Sequence, residues 1–332
     1  MKDNIVLILM QLKGISRKTI FKNFSFAKNR DYSNSDIPEL LEKANLNGGH
    51  ISNYSNIDIN NAIIKAKDIE EKSEKNNIKI ISFLDTDYPQ RLLNTQDPPS
   101  ILYFKGNIKC INEGLTIAVI GTREPTEFGI KIAGNLGESL GKRGDVVVSG
   151  LAIGCDQYGH EGCVKVHGKS VAVLPCGLDK VYPAKNKNLA QKILDNNGCL
   201  ISEYPIETKV FKNFFIERDR LQSGLSDGVI VVETDIKGGT MHTVGYTLDY
   251  KRVLACYKHP DRYLNEPKTF GNQKLIKEKK AISLSNNLEL EEFRVKLENL
   301  RGNNIQRQEN VTIAQRDIFE YLKEGMQYGD NL

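Results

Sequence analysis

From IKIISFLD (78–85) onward short β-rich runs alternate with segments in which apolar positions recur every three or four residues, and the strand candidates lie between residues 115 and 257. The runs are LTIAVIG (115–121), DVVVSG (145–150), SVAVLPCG (170–177), CLISEY (199–204), GVIVVET (228–234) and RVLACY (252–257). Helical periods fill 127–143, 156–167, 186–196, 212–223 and 240–250 between them. Such alternation predicts strands joined by crossover helices in a parallel sheet. The runs do not alternate polar and apolar, so both faces of each strand are expected to be buried. The fold class expected is α/β: a Rossmann-like, mostly parallel sheet with flanking helices.

The first 75 residues have a different texture. IVLILMQL, RKTIFKNF, DIPELLEKA and DINNAIIKAKDIEEKSEK carry apolar positions at helical spacing, with Asn, Ser and Asp between them. They predict a small all-α domain. LKGISRKTIFKNF carries the glycine turn of a helix-hairpin-helix, whose backbone amides can hold a DNA phosphate. Ser16 replaces the second glycine, which favours packing within a helical bundle. The expected organisation is a helical domain at 1–78, a Rossmann-like domain at 79–298 and an extension at 299–332. Within that extension TIAQRDIFEYLKEG reads as one amphipathic helix, and no winged helix is recognisable.

Composition narrows the function classes. The 332 residues are 39% apolar with a formal charge of +4, which permits a nucleic-acid or nucleotide partner without requiring one. The six cysteines are scattered without a CxxC pair and several sit in apolar runs, so they read as reduced core residues. Neither a zinc cluster nor a disulfide framework is expected. No segment has the roughly 18 apolar residues of a membrane span, and a cytoplasmic protein without metal or cofactor is expected.

Ligands of open parallel sheets bind beyond the carboxyl ends of the strands. The first strand of the alternation ends in Gly121, Thr122 and Arg123. This is not GxGxxG, and no acidic ribose partner follows the second strand, which disfavours a dinucleotide dehydrogenase. A hydroxyl, a guanidinium and free amides at one tip suit a phosphate, the favoured reading; the alternative is that Thr122 caps the next helix and Arg123 is solvated. The second strand delivers Ser149 and Gly150, then Asp156 and His160 on one helix face. These read either as an acid-base pair or, preferably, as a cap over a packed imidazole. Cys176 at the third strand tip lacks a neighbouring base and reads as a turn residue. In KNFFIERDRLQSGLS, Arg218 and Arg220 follow Phe214 and Phe215, a mixture that suits a single strand with stacked bases or simple core packing. Gly238, Gly239 and Thr240 form one more glycine turn before a helix.

Taken in order, these motifs resemble the DprA/Smf DNA-processing family, within the wider Rossmann-like group that includes LOG-type enzymes. The matching stretches are YPQRLLNTQDPPSILYFKGN, IGTR, SGLAIGCDQYGH, VAVLPCGLDKVYPAKN, ISEYP, ERDRLQSGLSDGVIVVE, the glycine turn, and GNQKLI. The resemblance implies a SAM-like helical domain before a Rossmann-like domain. It further implies a non-enzymatic homodimer that binds and protects single-stranded DNA and helps load a RecA-type recombinase. On that reading Arg123, Arg218, Arg220 and Lys169 hold phosphates while the Gly121-Thr122 and Gly238-Gly239-Thr240 turns shape the pocket, with Ser149 and Gly150 beside it.

Departures from the family pattern are local. Ile153 stands where an arginine is usual, Asp219 where an asparagine is usual, and Gly238-Gly239-Thr240 where Ser-Gly-Ser/Thr is usual. The rival class is a nucleotide-binding or nucleotide-cleaving protein. LOG-type turns continue to a glutamate, whereas this helix reads TMHTVGYTLDY, so cleavage is disfavoured.

Overall fold

The computed structural model describes residues 4–28, 30–49 and 51–302. The 312–325 segment read above as an amphipathic helix lies outside them. By internal contacts the chain divides into one unit ending at Leu284 and a second beginning at Ser285.

Four helices open the first unit: α1 (Ile5–Gln11), α2 (Arg17–Asn23), α3 (Ile37–Leu46) and α4 (Asn56–Lys75). Their starts are chemically marked, as Asn4, Ser16 and Ser55 each accept a hydrogen bond from a first-turn amide. Ile5 to Leu9 of α1 are all buried. The turn before α2 uses Gly14 at φ +87° and then Ser16 as the cap, so a helix cap occupies the place of the second hairpin glycine. Arg17 ties these helices to two later loops: its guanidinium bonds Asp97 at 2.7 Å and Glu203 at 3.2 Å, and its carbonyl accepts from Ser100.

The rest of the unit is a nine-stranded sheet: β1 (Lys79–Ser82), β2 (Ile101–Gly106), β3 (Thr116–Ile120), β4 (Val146–Ser149), β5 (Ser170–Leu174), β6 (Cys199–Ser202), β7 (Gly228–Val231), β8 (Val253–Tyr257) and β9 (Ile282–Leu284). Two short helices, α5 (Gln90–Leu93) and α6 (Cys110–Glu113), precede β3. Longer crossover helices come after it: α7 (Glu127–Lys142), α8 (Cys155–Lys165), α9 (Lys187–Asp195), α10 (Lys212–Gly224), α11 (Thr240–Asp249) and α12 (Phe270–Lys277). The strand order is β1-β2-β6-β5-β4-β3-β7-β8-β9. Pairing is parallel from β6 across to β9, and antiparallel only where β2 joins β6 and β1 joins β2.

The α/β reading is therefore correct, and every apolar run named from sequence became a strand. Thr116 to Ile120, Val146 to Ser149, Ser170 to Leu174 and Gly228 to Val231 are buried throughout, as a sheet covered on both faces requires. All six cysteines are free thiols and buried. Among the described residues no helix is long and apolar enough to cross a membrane.

The second unit is described to residue 302 and contains a helix over 287–302. Arg294 pairs within it with Glu291 and Glu298.

Candidate functional site

β3 hydrogen-bonds to β4 on one side and β7 on the other. β4, β5 and β6 extend the sheet one way from it, and β7, β8 and β9 the other. The connections leaving the carboxyl ends of β3 and β7 diverge at this point and open a crevice. A cleft of about 700 Å³ occupies it. Its walls are Gly121, Thr122 and Arg123 after β3, Gly238, Gly239 and Thr240 before α11, and one face of α10.

The β3–α7 loop is held by Glu233, just past β7. The Glu233 carbonyl accepts from the Thr122 amide at 2.8 Å, and its carboxylate accepts from the Thr126 amide at 2.8 Å and the Thr126 hydroxyl at 2.6 Å. Thr126 in turn caps α7 by accepting from Gly129 at 3.0 Å. The cap expected at Thr122 is thus Thr126, and the Thr122 hydroxyl accepts from Glu124 inside the loop. Burial pushes the Glu233 pKa up. His259 Nε2 at 3.4 Å and the Thr126 donors outweigh that, and the carboxyl stays below its usual range. Gly121 has no room for a side chain, because a Cβ would meet Cys155 Sγ and the Glu233 carbonyl.

Phe215, Asp219 and Gln222 share one face of α10 and line the cleft together with Phe211, the extended residue that caps the helix. The Arg123 guanidinium lies over the Phe215 ring, 5.0 Å from its centroid, and is exposed. Arg218 also reaches the cleft but is buried against Gly150, where a Cβ would overlap its guanidinium. Its Nη1 stands 3.6 Å from Asp156 Oδ2 and its Nε 3.4 Å from Asp219 Oδ1. The Gln222 amide, oriented with its nitrogen toward Asp219, donates to Oδ1 at 3.1 Å and accepts from Arg218 Nη1 at 3.2 Å. Burial, with Asp156 adding to it, pushes the Asp219 carboxyl up to about 6 against the opposing pull of Arg218.

The residues singled out from sequence divide by place. Gly121, Thr122, Arg123, Arg218, Gly238, Gly239 and Thr240 meet at the cleft. Gly150 lines only a small apolar annex beside it, with Ile153, Pro175 and Tyr182. The Ser149 hydroxyl is spent on the Val119 carbonyl at 2.7 Å inside the sheet. Arg220 points to the other side of α10, where it bonds the Glu203 carboxylate and the Asp97 carbonyl. Lys169 precedes β5 at its amino end, opposite the cleft, and pairs with Glu113. Asp156 accepts from the Gly150 amide at 3.0 Å and so braces the turn, while the buried His160 bonds the Ser170 hydroxyl of β5 at 2.6 Å. Burial pushes the Cys176 thiol up to about 11, away from a nucleophile's range.

Sequence reasoning missed Phe211, Lys212 and His242, which also line the cleft. The signal was present in the spacing of α10: counting fours back from Asp219 gives Phe215 and Phe211. Phe214, which the sequence set beside Phe215, instead stacks on Tyr204 at 4.0 Å. No group of His, Cys, Asp and Glu among the described residues is arranged to hold a metal ion.

Comparison with known proteins places the family and the fold. Residues 79–294 match the family model of DNA recombination-mediator protein A. The chain is 34% identical over 195 residues to Protein Smf of Synechocystis, covering 58% of this chain and 49% of that protein. It is 36% identical over 177 residues to DNA processing protein DprA of Bacillus subtilis, covering 53% of this chain and 59% of that one. The chain thus spans about half the length of these relatives. The solved DprA of Streptococcus pneumoniae superposes with a TM-score of 0.71 at 25% identity, covering 87% of this chain and 98% of that one. DNA processing protein A of Helicobacter pylori, solved to explain its single-stranded DNA binding mode, gives 0.57 at 28% identity over 69% of this chain and 96% of its own. The chain belongs to the DNA recombination-mediator protein A family.

Proposed function

We propose that this protein binds single-stranded DNA in the cleft between β3 and β7, protects it, and helps load a RecA-type recombinase, acting as a homodimer without catalysing a reaction. The observation that carries the binding reading is the pairing of Arg123 with Phe215 at the mouth of the cleft. An exposed guanidinium resting on an aromatic ring offers a phosphate contact and a stacking surface in one place. Phe211, 56% exposed, and Lys212 extend that surface along α10. The Helicobacter relative's single-stranded DNA binding supports the same reading.

A second reading, a free nucleotide, draws on the cleft itself. About 700 Å³ is the size of a small-ligand pocket. The Gly239 and Thr240 amides at the start of α11 have no hydrogen-bond partner among the described residues. One titration separates the two. A labelled 20-mer of thymidylate is followed by fluorescence anisotropy at low and moderate salt, then challenged with guanosine and adenosine monophosphates. Micromolar binding that weakens with salt and resists the mononucleotides supports the strand. Absence of oligonucleotide binding at low salt removes the reading, and complete displacement by a mononucleotide transfers it to the second. Strand-exchange assays with a RecA-type recombinase, with and without the protein, test the loading step.

A further inference from the structure

The floor of the cleft is poorly suited to a phosphate. Arg218 is its one buried guanidinium among the described residues, and it already faces two carboxylates, Asp156 and Asp219. Asp219 Oδ1 takes the Gln222 amide, while Oδ2 makes no hydrogen bond among the described residues. A phosphate pressed against this carboxylate would bring like charges together where solvent screening is weak. What the floor lacks is an N–H donor carrying no negative charge. The edge of a nucleobase supplies that.

The walls agree with a base. Phe215 and the exposed Phe211 offer ring faces, and the annex adds Ile153 and Tyr182, whose ring meets Phe215 edge-on at 5.5 Å. Uncommitted positive groups lie higher: Arg123 over Phe215, Lys212 at the start of α10, and the amides of Gly239 and Thr240. The mouth thus carries these cations together with the exposed carboxylates of Glu124 and Asp235, while the floor presents the Asp219 acceptor.

We propose that guanine is the base this cleft prefers, and that Asp219 reads it while the backbone phosphates stay outside the floor. Guanine presents N1–H and N2–H side by side, so one can bond the open Oδ2 while the other shares Oδ1 with Gln222; thymine offers one imino donor, and adenine and cytosine one amino group each. Gln222 and Arg218 hold the carboxylate in place from below. Asp219 is thus a specificity-determining residue, and the proposal rests on the single-stranded DNA reading above.

The test uses the full chain and four labelled 20-mers of thymidylate: unsubstituted, and with one central guanine, inosine or adenine. Anisotropy titrations should show the guanine strand binding about tenfold tighter than the unsubstituted one, with inosine, which lacks the 2-amino group, between them. Asp219→Asn should remove the guanine advantage, bringing the guanine and unsubstituted strands to equal affinity. Equal binding of all four strands by the unmutated protein overturns the guanine reading while leaving strand binding intact. A guanine advantage that survives Asp219→Asn overturns the role of Asp219. Failure to bind any of the four overturns both this inference and the function it rests on. The comparison among strands needs no variant, so it holds even where a substitution impairs folding.

Discussion

Arg218 and Arg220 sit two residues apart on α10 and are 5% and 4% exposed, yet they serve different regions of the molecule. Successive residues of an α-helix turn by about 100°, so a separation of two places the side chains on nearly opposite faces. Arg218 looks into the crevice at the carboxyl ends of β3 and β7, set against Asp156 and Asp219. Arg220 looks toward the helical region, where Glu203, Asp97 and Arg17 join it in one ion cluster. In sequence the two arginines look like one cationic patch. In the fold both are neutralised, and the guanidinium left over for a ligand at the cleft is that of Arg123, which is exposed and rests on an aromatic ring. A guanidinium buried with its carboxylate is part of the structure; one parked on a ring face at a cleft mouth is available to bind.

This contrast can be broken at either end. The largest effect is expected from Arg220→Ala, which leaves Glu203 buried without its main partner and should cost about 3–5 kcal/mol of stability. Urea unfolding followed by circular dichroism reads this directly. A loss within about 0.5 kcal/mol would mean that the ion cluster is ornamental.

Gly150→Ala comes next. The new methyl group would overlap the Arg218 guanidinium, so the arginine must leave its carboxylates, at about 1–3 kcal/mol. A lowered melting temperature together with weakened oligonucleotide binding is the expected pair of results.

The third effect depends on pH. Burial and Asp156 raise the Asp219 pKa in the folded chain to about 6, above the 3.8 that an aspartate regains on unfolding. The folded state therefore holds this proton more tightly, and the ionised form opposes folding at neutral pH. Stability gains as pH falls from about 6 to about 4. Asp219→Asn should accordingly stabilise the protein at pH 7 by at most about 3 kcal/mol, and the gain should disappear near pH 4. Urea midpoints of both proteins across that range check the sign, and a gain that grows on acidification would reverse it.

Much of this was legible in the residues. Six continuous apolar runs announced β3 to β8 because strands covered on both faces need no polar alternation. β1, β2 and β9 were missed for physical reasons. Lys79–Ser82 and Ile282–Leu284 are short strands at the two edges of the sheet, and Ile101–Gly106 lies in a motif that shows no helical crossover beside it. The glycine turns of the site were visible because close backbone approach demands glycine, as at Gly121. Polar residues were harder to place, since charge alone does not say which end of a strand or which face of a helix a side chain occupies. Lys169 was set among the phosphate ligands although it immediately precedes β5 at the amino end, far from any carboxyl tip. Arg220 was grouped with Arg218 although helical geometry sets them apart. Phe211 was overlooked although it lies one helical repeat before Phe215.

If nucleic acid meets the protein at the carboxyl-end cleft, Arg123 must matter to binding and Lys169 must not. An anisotropy titration of one labelled 20-mer against the unmutated protein, Arg123→Ala and Lys169→Ala over a range of salt concentrations tests this most directly. Arg123→Ala is expected to weaken binding about tenfold and to lower the salt dependence by about 0.7 counterion, whereas Lys169→Ala changes neither. An Arg123→Ala protein that binds as well as the unmutated one, or a Lys169→Ala protein that binds much more weakly, would place the nucleic acid elsewhere on the molecule.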